Sequence, residues 1–249
     1  MGQYRAALAF VTPSANLVVE RVTHAVLADF PDVSAHFSRT PVFGSSDPYP
    51  YDYDWDGMMG AARLLAQAAP DVIVWSGSKG ATLGFDVDRE FCRRVATETG
   101  TPATTSTLAL HDILARKGLR RLALVTPYGA AYQEKLVAGF VREGYAVVAE
   151  AHAGLADNLS FAATQPSAIE AMCDSVSAAK PEAIVTWCTN FPAAYSVERI
   201  EHRLGIPVYD SVTLAAWHGL ETIGAIDGRG GRWGSLFADP AVRRQERAS

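Results

Sequence analysis

Pro70-Asp71-Val72-Ile73-Val74-Trp75-Ser76-Gly77-Ser78 recurs without a gap as Pro181-Glu182-Ala183-Ile184-Val185-Thr186-Trp187-Cys188-Thr189. Each copy runs from a proline and an acid through a short apolar stretch into a small polar turn. A short unbroken apolar run bounded by turn residues suits a strand buried on both faces. Two more echoes flank it in the same order. Val11-Thr12-Pro13-Ser14 matches Val125-Thr126-Pro127-Tyr128, and Gly100-Thr101-Pro102 matches Gly205-Ile206-Pro207, with Ser106 and Ser211 following before the next helix. The expectation is a duplicated unit: one α/β lobe over residues 1–117, a second over 118–222, and a C-terminal segment and tail over 223–249. The last part of the second unit is expected to pack back on the first lobe.

The rest of the chain has the same alternation. Apolar runs predict strands over 5–11, 34–38, 71–75, 120–126, 145–151, 182–187 and 206–209. Amphipathic stretches predict helices over 16–28, 55–69, 85–98, 106–116, 129–142, 166–178, 193–203 and 211–221. Strand–helix alternation implies right-handed βαβ units and parallel sheets. The predicted class is α/β: two pseudo-symmetric lobes, each a parallel sheet flanked by helices, with the active site in the cleft between them.

The chain has 249 residues, 49% of them hydrophobic, 20% charged, and a formal net charge of -5. That balance supplies no basic face for nucleic acid. Arg243, Arg244 and Arg247 crowd the C-terminus and read as a solvated tail. No apolar run reaches the roughly 18 residues of a membrane span. Ala6–Val11 is too short for a signal segment with a cleavage site, so the expected location is cytoplasmic. Three cysteines, Cys92, Cys173 and Cys188, make no disulfide framework and no CxxC or Cys/His spacing. No metal and no cofactor are expected.

Parallel sheets bind ligands beyond the carboxyl ends of their strands. Four such ends would meet in the cleft: Thr12-Pro13-Ser14-Ala15-Asn16, Ser76-Gly77-Ser78-Lys79-Gly80, Thr126-Pro127-Tyr128 and Cys188-Thr189-Asn190. Cys188 precedes a predicted helix start, where the dipole would lower its pKa and fit it for proton transfer; the plain alternative is a buried, inert thiol. Cys92 and Cys173 lie inside helices and read as packing residues. The Ser76–Gly80 turn offers N–H groups and hydroxyls for an oxyanion, without P-loop spacing. Lys79 reads as a carboxylate partner or a solvated lysine. Tyr128 reads as a donor to an enolate or as cleft packing. Asn16 reads as a ligand or a helix cap, and Asn158 as a ligand or a loop residue in an Asx-turn. Asp52, Asp54 and Asp56, after Gly44-Ser45-Ser46-Asp47-Pro48, lack the glycine and glutamate of a calcium loop and read as a surface loop over the cleft.

With these residues in place, the chain resembles the Asp/Glu racemase superfamily, specifically its maleate isomerase and arylmalonate decarboxylase branch, over about residues 5 to 222. The resemblance implies two pseudo-symmetric lobes, no cofactor, and a small carboxylate or dicarboxylate substrate whose protons are exchanged by cysteines at equivalent strand ends. A homodimer or higher homo-oligomer is also expected, because family members commonly pair. Cys188 falls on the second-lobe cysteine. Gly77 falls where isomerases and racemases have the first, and where the decarboxylases also have glycine. Ser78 matches an oxyanion-hole hydroxyl of the decarboxylases, Lys79 replaces a second hydroxyl residue, and Tyr128 matches the tyrosine of both branches. Pro13-Ser14-Ala15-Asn16 and Asp157-Asn158 are similar to the carboxylate-gripping segments of maleate isomerase.

The predicted site therefore has Cys188, Tyr128 and Ser78 as catalytic residues, and Asn16, Gly77, Lys79, Asn158, Thr189 and Asn190 as substrate-binding residues. Two-base racemisation needs an acid and a base on opposite faces of one carbon, and covalent isomerisation needs a first-lobe thiolate. Gly77 supplies neither. The leading expectation is a lyase that decarboxylates a malonate-like acid, with Trp75 or Trp187 as an apolar wall for the departing carboxylate. The alternatives are cis–trans isomerisation of a maleate-like acid by a variant route, and non-catalytic binding of a small acid.

Overall fold

The computed structural model describes residues 4–43 and 48–238. The first lobe contains β1 (Ala6–Pro13), α1 (Val19–Leu27), β2 (Val33–Thr40), α2 (Trp55–Ala66), β3 (Val72–Trp75), α3 (Gly80–Leu83), α4 (Phe85–Thr99), β4 (Ala103–Thr105) and α5 (Ser106–Lys117). The second contains β5 (Arg121–Thr126), α6 (Ala130–Arg142), β6 (Ala146–His152), α7 (Asn158–Ala162), α8 (Pro166–Ser177), β7 (Ala183–Thr186), a 3₁₀ turn (Ala193–Ser196), α9 (Val197–Leu204), β8 (Val208–Asp210) and α10 (Ser211–Thr222). A 3₁₀ turn (Gly231–Trp233) and α11 (Ser235–Ala238) follow. Arg243, Arg244, Arg247 and residues 44–47 lie outside the described residues.

Both sheets are parallel, with strand orders β2-β1-β3-β4 and β6-β5-β7-β8. Identical orders make the two lobes pseudo-symmetric, as the echoes imply. Each echo occupies equivalent places: the ends of β1 and β5, the whole of β3 and β7, and the approaches to β4 and β8. Gly100 and Gly205 end α4 and α9 in left-handed conformations, φ 71° and 66°, which a side chain would resist. α5 and α10 begin at equivalent caps, Thr105 and Asp210, whose side chains accept backbone N–H groups of the first turn.

The differences from the sequence reading are local. β4 has only three residues, too few to register as a period. Helix 16–28 begins three residues later, at Val19, after a turn in which Asn16 Oδ1 accepts the N–H groups of Val18 and Val19. Residues 80–83 and 158–162 form short helices, so Asn158 opens α7 rather than lying in a loop.

One apolar core is shared by both lobes. It joins Leu8, Phe10 and Val74 of the first sheet to Leu122, Leu124 and Val185 of the second. α10 lies against the first sheet: a Cβ on Gly219 would be 3.2 Å from Val74 and 3.4 Å from Leu8. A second cluster, with Met58, Met59, Trp75 and Phe91, fills the space between the first sheet and α2 and α4. Interlocking of this kind holds the strand ends of the two lobes at fixed separations.

Candidate active site

Three strand ends converge on Cys188, which follows β7 and is 4% exposed. Tyr128 follows β5. Its hydroxyl lies 3.0 Å from Ser78 Oγ of the first lobe and donates to the Cys188 sulfur when that is a thiolate. Tyr132 (4.4 Å between centroids) and the edge of Phe161 from α7 (5.5 Å) fix the Tyr128 ring. A Ser78–Tyr128–Cys188 chain thus crosses the lobe boundary.

The thiol differs from the expectation. Burial pushes the Cys188 pKa up to about 11, although Tyr128 and the Asn190 N–H favour the thiolate, and the buried Asp210 carboxylate opposes it. The shift runs opposite to the one expected from a helix start: burial dominates, and the first helical turn begins five residues on, at Ala193, as a 3₁₀ turn that leads into α9 at Val197. At that value Cys188 is a thiol at neutral pH. Burial also pushes Tyr128 well up, so it too stays protonated. Cys92 and Cys173 are both pushed up to about 12 in helix interiors.

The asparagines join segments. Asn16 Oδ1 accepts the N–H groups of Val18 and Val19 at 2.8 Å, and Nδ2 donates to Thr189 Oγ1 at 3.2 Å. The Thr189 hydroxyl keeps its own hydrogen for another acceptor. Asn190 Oδ1 accepts from Leu17 N at 2.8 Å, and Nδ2 donates to Asn158 O at 2.6 Å and Ala15 O at 3.4 Å. Its amide is committed to tying three segments together. Asn158 stands one residue after Asp157, the cap of α7, and its backbone carbonyl is what Asn190 holds.

Lys79 Nζ donates to the backbone carbonyls of Tyr49 (2.7 Å) and Asp52 (2.8 Å). It tethers the 48–54 segment to the turn after β3. Within that segment Asp52 Oδ1 accepts from Trp55 Nε1 and Asp54 caps α2; Asp52 is exposed, as the surface-loop reading has it, while Tyr53 is buried and Asp56 lies in α2.

Trp187 is no cleft wall. It is wholly buried, edge-on to Phe140, and donates from Nε1 to Ser78 O at 3.0 Å, another link between lobes. Trp75 packs on Gly77 and donates to the Tyr53 hydroxyl at 3.0 Å; that hydroxyl lies 3.4 Å from each oxygen of Asp88. Asp88 is wholly buried beneath Gly80, and burial pushes its pKa up to about 7 against the pull of Thr105, Thr107 and Tyr53. Sequence reasoning missed this trio because nothing local links positions 53, 75 and 88.

Two surface cavities, of about 490 and 440 Å³, lie away from these strand ends. Among the described residues, Asp112, His218 and Glu221 cluster between α5 and α10, but Arg116 pairs with both carboxylates, so the group is an ion-pair network. Among the described residues, no helix is long and apolar enough to cross a membrane.

A maleate isomerase of Nocardia farcinica is 28% identical over 230 residues, covering 87% of this chain and 89% of that protein. An arylmalonate decarboxylase of Bordetella bronchiseptica is 26% identical over 224 residues, covering 86% and 91%. The fold matches the crystal structure of a maleate isomerase of Pseudomonas putida with maleate, at a TM-score of 0.85 and 23% identity, covering 94% of this chain and 97% of the other. The family model for arylmalonate decarboxylase matches residues 31–237, most of the chain, and the chain belongs to that family.

Proposed function

We propose that the protein is a cofactor-independent lyase that decarboxylates a small malonate-like acid and protonates the product through Cys188. The observation that carries this reading is a single cysteine at the strand ends, held as a thiol beside Tyr128 and Ser78, with glycine at the equivalent first-lobe position. The bond from the α-carbon to one carboxylate breaks and CO₂ leaves. The electron pair passes into the remaining carboxylate as an enediolate. The hydroxyls of Ser78, Tyr128 and Thr189 surround that charge, where fixed donors act most strongly. Cys188 gives its proton to the α-carbon, and water reprotonates the thiolate. Asn16 and Asn190 tie together the segments that carry Thr189, Leu17 and Asn158, and Lys79 ties the 48–54 segment to the turn that carries Ser78.

Isomerisation of maleate would require a thiolate to add to the double bond. Cys188 is held as a thiol, and position 77 has none. The test is incubation in D₂O with methyl-phenylmalonate and, separately, with maleate, followed by proton NMR. Deuterated monoacid from the wild type but not from Cys188→Ser is expected. Fumarate from maleate, with the malonate untouched, would overturn the proposal in favour of an isomerase. Ligand binding without turnover of either acid would favour a non-catalytic binding protein.

A further inference from the structure

Among the positions at which the duplicated lobes differ beside the site, Trp75 and Thr186 form one pair. Trp75 and Thr186 end β3 and β7, each opposite the last residue of the next strand, Thr105 and Asp210 respectively. Two residues further on stand Gly77 and Cys188. Alternate residues of an extended chain share a side, so each strand-end side chain neighbours the one at the turn. In the second lobe that neighbour is small: Thr186, whose hydroxyl donates to Asp210 at 3.3 Å. Cys188 has room there for its side chain.

In the first lobe the neighbour is an indole. A Cβ built on Gly77 would overlap Cζ2 and Cε2 of Trp75 and lie 2.8 Å from Cη2. The indole has no cheap way to withdraw. Trp75 is 4% exposed. Its Nε1 is bonded to Tyr53, whose ring meets it edge-on at 5.9 Å, and Phe91 lies 6.5 Å away. Moving it would leave a buried donor unpaired and disturb the contact between Tyr53 and Asp88.

We propose that Trp75 sets the number of proton-transfer groups in this enzyme: its indole fills the space of a side chain at position 77, so that protons reach the substrate from Cys188 alone and from one face. The catalytic half of this inference rests on the decarboxylase reading; the packing half does not. Replacing Trp75 by a small residue and Gly77 by cysteine would copy the second lobe's pattern. One thiolate would then remove the α-proton of a monoacid, and the opposite thiol would return one to the other face. The proton count is conserved and the configuration inverts.

The first experiment measures thermal unfolding of G77A, W75T and W75T/G77A, with W75L and W75L/G77A as a second series should the threonine variants not fold. Overpacking predicts a loss of about 5 °C from G77A in the wild type and under about 1 °C where Trp75 is already replaced. Equal losses in both backgrounds would overturn the proposal. The second experiment follows α-proton exchange and optical rotation of the monoacid from methyl-phenylmalonate in D₂O. W75L/G77C should racemise it at least about tenfold faster than G77C. A wild type that decarboxylates the malonate, together with a G77C that racemises as fast as the double variant, would overturn the proposal. A wild type inert toward the malonate would instead count against the decarboxylase reading, and the unfolding series would then decide the packing claim alone.

Discussion

Tyr128 of the second lobe places its hydroxyl 3.0 Å from Ser78 Oγ of the first, within reach of the Cys188 sulfur. One phenol therefore links the Ser78 hydroxyl to the Cys188 thiol. Tyr128→Phe and Ser78→Ala should each lower kcat by about 10²–10³, the effect of removing one oxyanion donor. In the proposed mechanism the two hydroxyls act on one charge, so the double variant should lose much less than the product of the single losses. Steady-state kinetics on methyl-phenylmalonate measures this. Fully multiplicative losses would separate their roles.

The state of Cys188 is open to chemical measurement. With its pKa pushed up to about 11, roughly one thiol in a few thousand is ionised at pH 7.5. Alkylation by iodoacetamide, followed by mass spectrometry of the peptide containing Cys188, should be slow near neutrality and rise about tenfold per pH unit toward pH 10. A rate that levels off below pH 8 would mean an acidic thiol and would reopen the nucleophilic isomerase route.

The sequence shows the fold because the lobes are duplicated: β3 and β7 are apolar runs with matching flanks, and each copy supports the other. β4 escaped because Ala103-Thr104-Thr105 has neither length nor alternation. At the site, the positions of Cys188, Tyr128 and Ser78 follow from their places at strand ends, but their electrostatics do not. Burial of Cys188 depends on packing from both lobes, and it reverses the pKa shift that a helix N-terminus suggests. The asparagines are harder still. Asn16 meets Thr189 across 173 residues, and only the folded chain reveals that the Asn190 amide is occupied by backbone.

Asp88 supplies a prediction about stability. Its folded pKa, about 7, exceeds the ordinary 3.8 because of burial, so the folded protein keeps a proton that the unfolded chain loses. Stability from this group is complete below pH about 4 and is lost as pH rises to about 7. Asp88→Asn has no such titration. Between pH 4.5 and 8 its unfolding free energy should gain on the wild type by on the order of 2–4 kcal/mol, read from urea denaturation at each pH. Parallel pH profiles would show that Asp88 is ionised in its pocket.

Asn190 is expected to bind substrate, and its contacts add a structural task that can be measured separately. Asn190→Ala removes an acceptor for Leu17 N and donors to Asn158 O and Ala15 O. The expected loss is about 1–3 kcal/mol of stability, because the partners remain part-buried and unpaired. KM should rise as well, as the segments that Asn190 ties together separate. A variant as stable as the wild type but with a raised KM would return Asn190 to direct substrate binding.

Lys79 separates two roles in one experiment. Its ammonium holds the carbonyls of Tyr49 and Asp52, which makes it a tether between the 48–54 segment and the turn after β3. Lys79→Met should then speed amide hydrogen exchange in residues 48–54, because a segment with fewer fixed contacts opens more often. The effect on kcat/KM should stay below about tenfold, since no charge on the substrate loses its partner. If instead the ammonium leaves those carbonyls to pair with a substrate carboxylate, KM should rise about 100-fold, the loss of one charge-assisted bond of roughly 3 kcal/mol. Exchange in 48–54 would then change only when substrate is present. Measuring exchange with and without a malonate analogue distinguishes a lysine that holds the 48–54 segment from one that grips the ligand.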